Sequence, residues 1–289
     1  MMARRRLIVA MILTYIDFAM LLNSVGTVIL QSIGSFDIAK TRASTLEGFK
    51  DITIAVISFL IAGYLPRFGL RRSMLGAILL AVAACIFMPL ARSFPATQLH
   101  FAMVGAAFAV VKITLYSMIG LVTQDGKGHA SLTAIIEGMF MVGVLSSYWV
   151  FSFFIKPDAP VSDLGWLNSY WVLGGISGLA FLLLLSAPLD EKGVVEDGTK
   201  NQSIAALFLL LKLPLILIFL FCAFLFVLVE QGVGTWLPTF NNEVIHLSPR
   251  LSVQAASIFA ASLALGRFLA GAVMTRLSWY PVLNFCLAM

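Results

Sequence analysis

The stretch RRRLIVAMILTYIDFAMLLNSVGTVILQSIG, residues 4–34, decides how this chain is read. A helix rises about 1.5 Å per residue and the hydrocarbon of a bilayer is about 30 Å thick, so a crossing needs roughly 20 residues of mainly apolar character. This stretch has that length and, after Arg4, Arg5 and Arg6, a single charged residue, Asp17. Arginines before an apolar run mimic a secretory signal peptide, but Asp17 interrupts the run and no small-residue cleavage site follows, so it reads as an uncleaved first span.

The whole chain is built the same way. Its 289 residues are 60% apolar and only 11% charged, with a mean hydropathy of +0.98. Globular proteins carry about 25% charged residues, and a chain with so little polar surface cannot coat itself in water, which excludes both a soluble enzyme and a disordered protein. The net charge of +5, that is 19 minus 14, argues for membrane orientation rather than for nucleic acid. Cys85, Cys222 and Cys286 each sit in an apolar run and read as core packing, without metal-type spacing. No phosphate loop, catalytic triad or metal cluster is visible, so neither cofactor nor metal is expected, and His100, His129 and His246 all fall near span ends.

Cutting the chain where Pro, Gly and charges cluster gives spans at about 7–33, 46–66, 73–91, 98–123, 130–154, 166–188, 204–238 and 251–275. A ninth starts near Trp279 and has only about ten residues before Met289, so the sequence reads as C-terminally truncated relative to its architecture. With a cytoplasmic N-terminus, the inner segments hold Arg4, Arg5, Arg6, Arg67, Arg71, Arg72, Lys127, Lys192, Lys200 and Arg276. The outer ones hold only Lys40, Arg42, Arg92, Lys156 and Arg250, a two-to-one bias that places the N-terminus inside. The polar run from Leu189 to Ser203 is then a cytoplasmic linker. The expected fold is an all-α polytopic membrane protein: a six-helix bundle over residues 1–188, the linker 189–203, and an incomplete second bundle over 204–289. IAGYLPRFG from Ile61 and LAGAVMTRLS from Leu269 echo each other six spans apart, as a duplicated six-helix unit requires.

Between the second and third spans, AGYLPRFGLRRSML from Ala62 to Leu75 resembles the cytoplasmic loop signature of the major facilitator superfamily. Gly63, Arg67, Gly69, Arg71 and Arg72 match its small and basic positions, and the resemblance implies a conformational role for this loop. Pro66 stands where the family has an acidic residue, which puts the family's charge latch in doubt. GMFMVG, residues 138–143, has the glycines but not the proline of the drug-antiporter fifth span. FMPLARSF from Phe87 and EQGVGTW from Glu230 resemble the fucose-permease-like sugar and proton symporters. The resemblance implies a secondary transporter working by alternating access, with protons and a small-molecule substrate, a sugar or a small anion, as partners in the lipid bilayer. No nucleic acid is implied, and a monomer is expected. The competing classes are an intramembrane enzyme, for which no motif appears, and a membrane scaffold or sensor.

Charged residues inside spans are the site candidates, because each costs at least about 2.5–3.5 kcal/mol on insertion scales. Asp17 lies near mid-membrane and is either a buried hydrogen-bonded carboxyl or the proton-coupling group. Lys112 and Glu137 fall at similar depth on antiparallel neighbouring spans, which makes an ion pair the expectation, with Thr114 and Tyr116 close by. Glu47, Lys50 and Asp51 begin a span too short without them, and Glu47 and Lys50 are spaced to pair at i,i+3. Glu230 and Gln231 precede Gly232, Gly234, Trp236 and Pro238, where the helix either breaks to expose carbonyls or ends in the interfacial belt. Arg267 snorkels to the headgroups, and Asn23, Gln31, Gln124 and Asn168 add amides suited to hydroxyls or to helix contacts.

Overall fold

The computed structural model describes residues 2–61, 65–123, 126–156, 160, 162–187, 213–274 and 279–288, and among the described residues the secondary structure is helical. The helices are α1 (Met2–Asn23), α2 (Val25–Ser35), α3 (Lys40–Ala43), α4 (Thr45–Ile61), α5 (Leu65–Phe68), α6 (Leu70–Ala91), α7 (Phe94–Val122) and α8 (Gly126–Phe154). After a 3-10 turn at Gly165–Asn168 come α9 (Ser169–Ser186), α10 (Pro214–Glu243), α11 (Pro249–Met274) and α12 (Trp279–Ala288). Helices are the natural answer here, since a backbone in lipid must satisfy its own polar groups.

Among the described residues six stretches are long and apolar enough to cross a membrane: Arg4–Ser35, Leu70–Ala91, Phe94–Val122, Gly128–Phe154, Gly165–Ser186 and Pro214–Glu243. The first joins α1 to α2, because Ser24 keeps helical dihedrals (φ −69°, ψ −14°). Helices also occupy the second and eighth expected positions, yet they fall outside that set. Helix α4 has 17 residues and opens on Glu47, Lys50 and Asp51, while α11 carries Arg250, Gln254 and Arg267. The linker expected at Leu189–Ser203, Gly63 and Gln124 lie outside the described residues, as do the side chains of Arg67, Lys127 and Arg267.

Helix α1 lies between α8 and α9, α6 packs on α7 and α9, and α4 packs on α7. These helices bury Phe18, Phe101, Phe151, Trp166 and Tyr170 almost completely. Without water to drive them together, membrane helices rely on small residues that let backbones approach. At Gly143 of α8 a Cβ would stand 2.5 Å from the Ile16 carbonyl oxygen of α1, so only glycine fits that crossing. Helices α10 and α11 join this body through α2 and α8 respectively.

One end of the molecule holds the helix starts at Arg4, Leu70 and Pro214, and is called here the linker end. The other holds Ser35, Lys40, Asp163 and Glu243, and is called the loop end. Helix α10 behaves differently along its length. From Leu215 to Val229 nearly every large side chain is exposed, whereas Thr235, Pro238, Thr239 and Asn241 are buried.

Candidate functional site

The two groups of helices meet at the loop end. There α2 crosses α10 with Gly26 so close that a Cβ would stand 2.5 Å from the Thr235 carbonyl oxygen. The Thr235 hydroxyl donates to Glu47 Oε1 at 2.7 Å, the Lys40 ammonium pairs with Glu243, and Gln254 Nε2 donates to Ser152 Oγ at 3.4 Å. Next to this crossing is a cavity of about 100 Å³ lined by Asn23, Phe140, Tyr148, Glu230, Gln231 and Phe259, among others. Asn23 donates to its own helix at the Ala19 carbonyl (2.8 Å), and its carbonyl oxygen stays available. A second cavity, of about 490 Å³ and lined by Gln31, Lys156, Asp163, Trp166, Asn242 and Glu243, lies at the loop end.

Helix α10 neither breaks nor ends at Gly232–Pro238. It continues to Glu243. Pro238 removes one backbone donor but is held among buried neighbours, so both expectations for the EQGVGTW stretch are corrected. Glu230 nevertheless faces the cavity.

On α8, one turn before Met141, Glu137 accepts hydrogen bonds at Oε1 from the hydroxyls of Tyr15 (3.2 Å) and Tyr116. Tyr15 packs with its ring centroid 4.7 Å from Phe140 and 6.3 Å from Phe108. The expected Lys112–Glu137 ion pair does not form. The Lys112 ammonium is exposed and stands 5.9 Å from the Phe108 ring centroid, in cation–π range, while Glu137 turns to α1 and to Tyr116. Likewise Glu47 does not take Lys50. Lys50 is buried and pairs with Asp51 at 3.4 Å, leaving Glu47 to Thr235 on another helix.

Asp17 is fully buried between α1 and α9, away from both cavities. Its Oδ2 accepts from the Ser177 hydroxyl at 2.5 Å, and Oδ1 has no partner among the described residues. Cys85 of α6 stands beside Asp17 and Ser177, so it belongs to a polar seam rather than to plain apolar packing. His100, near a span end, is also buried. The signal for this was present, since His100 shares a helical face with Val104, Ala107 and Val111, all completely buried.

The comparisons with known proteins bear on this arrangement directly. The family model of the Major Facilitator Superfamily matches residues 7–289. This chain belongs to that superfamily. It is a multi-pass membrane protein of the secondary transporter class, not an enzyme. Among solved structures it is similar to the crystal structure of a D-xylose-proton symporter, with TM-score 0.64 and 16% identity, over 93% of this chain and 70% of that one. No curated protein sequence matches it.

In the superfamily's loop signature, Gly69 takes φ 87°, a left-handed value that glycine adopts without strain, and precedes the first residue of α6. Arg71 then donates from Nη2 to the Leu185 carbonyl at 2.6 Å and from Nε to that of Leu184 at 3.3 Å. Those carbonyls end α9, where a cation meets the negative end of the helix dipole. Arg72 of the signature is exposed.

Proposed function

We propose that the protein moves a small polar solute across the cell's inner or plasma membrane by alternating access between two helical bundles, coupled to protons. The bundles are residues 1–188 and 204–289, joined by a cytoplasmic linker at 189–203, with the N-terminus also cytoplasmic, as the basic-residue bias favours. The chain acts as a monomer. The observation that carries this reading is the one-sided contact between bundles. Gly26–Thr235, Glu47–Thr235, Lys40–Glu243 and Ser152–Gln254 all lie toward the loop end, while the linker half of α10 stands exposed. Such a cleft is closed on one side and open on the other. In the proposed orientation it faces the cytoplasm.

The solute site is then the cavity of Asn23, Tyr148, Glu230 and Gln231 with the Tyr15–Tyr116–Glu137 group toward the linker end. Amides, carboxylates and hydroxyls recognise sugar hydroxyls through directional hydrogen bonds, and aromatic faces supply apolar area. The fold likeness to a D-xylose-proton symporter supports a sugar and a proton as partners. Asp17 is the proton acceptor in this reading, as a carboxyl buried near mid-span that meets one hydroxyl and no cation among the described residues. Glu47, Lys50 and Asp51 serve the gate at the loop end rather than the solute. The test is uptake of radiolabelled D-xylose and other pentoses and hexoses into proteoliposomes under an imposed pH gradient. Accumulation that collapses with the gradient supports the reading, and uptake indifferent to the gradient sinks the coupling.

A second reading is favoured by one observation: Lys112 carries an exposed ammonium with no carboxylate partner among the described residues. An exposed cation without a carboxylate partner suits a small anion. Competition by monocarboxylates, lost in Lys112→Met, separates this reading from the sugar.

A further inference from the structure

We infer that a proton route runs inside the first bundle from the loop end of α7 to Asp17, through Thr97, His100 and Tyr170, separate from the solute cleft. The inference rests on the reading of Asp17 as the proton acceptor and adds how the proton reaches it.

Three completely buried side chains lie along one seam between α1, α6, α7 and α9, and each has a polar atom without a hydrogen-bond partner: Asp17 Oδ1, His100 Nε2 and Tyr170 Oη. Buried polar groups are nearly always satisfied, so three orphans in one seam call for a common explanation. Bridging by water is the usual way such buried groups are satisfied, and it would link the three. The seam is connected. His100 Nδ1 lies 3.0 Å from the Ala84 carbonyl oxygen, which only accepts, so Nδ1 carries the proton and Nε2 is a free acceptor. The His100 and Tyr170 ring centroids are 4.4 Å apart. Cys85 stands beside Tyr170 on one side and beside Asp17 on the other. Ser177, two helical turns after Tyr170 on the same face of α9, donates to Asp17.

The seam also reaches the surface. Thr97, one turn before His100, is buried and donates to the Ser93 carbonyl at 3.1 Å, and Ser93 at the start of α7 is only half-buried. A proton arriving there passes to Nε2, giving an imidazolium whose Nδ1–H stays on Ala84. It leaves from Nε2 through water to Tyr170 Oη as the tyrosine releases its own proton toward Asp17 Oδ1. One proton moves, and His100 and Tyr170 end neutral. The groups facing the route are Cys85 from α6, Phe101 from α7, and Tyr170 and Ser177 from α9, with Ser24 near the Tyr170 hydroxyl. Among the described residues no Lys, Arg or Glu pairs with Asp17. A consequence is that Asp17 is loaded from the loop side while the cleft is closed to that side.

The purified protein is reconstituted in lipid, and infrared difference spectra follow the carbonyl stretch of a protonated buried carboxyl after a pH jump, assigned to Asp17 by its loss in Asp17→Asn. Tyr170→Phe keeps the ring packed on His100 and Phe151, and His100→Phe removes the acceptor. Each is expected to slow the appearance of the band by roughly a hundredfold or more, the lower end of what a lost proton-transfer group typically costs, with its final amplitude intact. A merely structural role would move the melting temperature and leave the rate. An unchanged rate in folded Tyr170→Phe and His100→Phe overturns the route alone, because Asp17 is then loaded from the cleft. Absence of any Asp17-dependent band at any pH overturns the route together with the assignment of Asp17 as acceptor.

Discussion

Asp17 and Glu137 are carboxylates of the same first bundle placed in opposite settings. Asp17 is sealed, takes one hydroxyl and leaves an oxygen unpartnered, whereas Glu137 is half-buried beside the cleft and takes two tyrosine hydroxyls on one oxygen. The pair teaches that depth along a span does not assign a role. Access and donors do, and in the proposed mechanism they divide proton handling from solute binding.

The sharpest way to break that division is Asp17→Asn. In proteoliposomes it is expected to abolish uphill accumulation and to spare solute counterflow, which needs no net proton movement. Glu137→Gln is expected to do the reverse, weakening counterflow by raising the half-saturating solute concentration. If Asp17→Asn leaves accumulation intact, coupling belongs to Glu137 and the contrast is inverted.

Gly26→Leu comes next in size. Its side chain has no room against the Thr235 carbonyl, and such overpacking typically costs about 1–3 kcal/mol. Here that cost falls on the closed state of the loop end alone. A cysteine introduced at Gln31, in the loop-end cavity, is expected to label faster from outside in this variant. Unchanged labelling would mean that α2 and α10 do not form the gate.

The Tyr116–Glu137 contact has a smaller expected effect. A hydrogen bond to a charged group is worth about 1.5–3 kcal/mol, so a thermal-stability cycle of Tyr116→Phe with Glu137→Gln should show clear coupling. The companion cycle of Lys112→Met with Glu137→Gln should be additive within about 0.5 kcal/mol, because those side chains do not meet. Coupling in the second cycle would restore the ion pair that the spacing suggested.

That suggestion shows where the sequence stops being legible. Span positions, the helical class and the isolation of Asp17 follow from hydropathy and from the rarity of charge in apolar runs. Rotation about each helix axis does not. Lys112 and Glu137 match in depth, but Lys112 turns to the Phe108 ring, while Tyr116, one turn further along α7, and Tyr15 from α1, far away in sequence, take Glu137. Lys50 likewise takes the adjacent Asp51 instead of Glu47, because Thr235 on α10 reaches Glu47 first. Pro238 misled for a related reason. As local punctuation it ends a helix, but α10 is long enough and packed enough at that point to carry it.

The smallest effect is expected at the Lys40–Glu243 pair, although it links α3 to α10. Its side chains are 55% and 37% exposed, and ion pairs in water are worth about 0–1 kcal/mol because solvent screens them and two long chains must be ordered. Lys40→Ala and Glu243→Ala should therefore each shift the melting temperature marginally, and the shift should vanish at high salt, where the Debye length falls to about 3 Å at 1 M. Gate opening, read by labelling of the cysteine at Gln31, should rise far less than in Gly26→Leu. The contrast matters because both features close the same side, one by backbone contact and the other by charge. A large labelling increase in Lys40→Ala would mean that the charge pair, and not the α2–α10 crossing, holds the loop end shut.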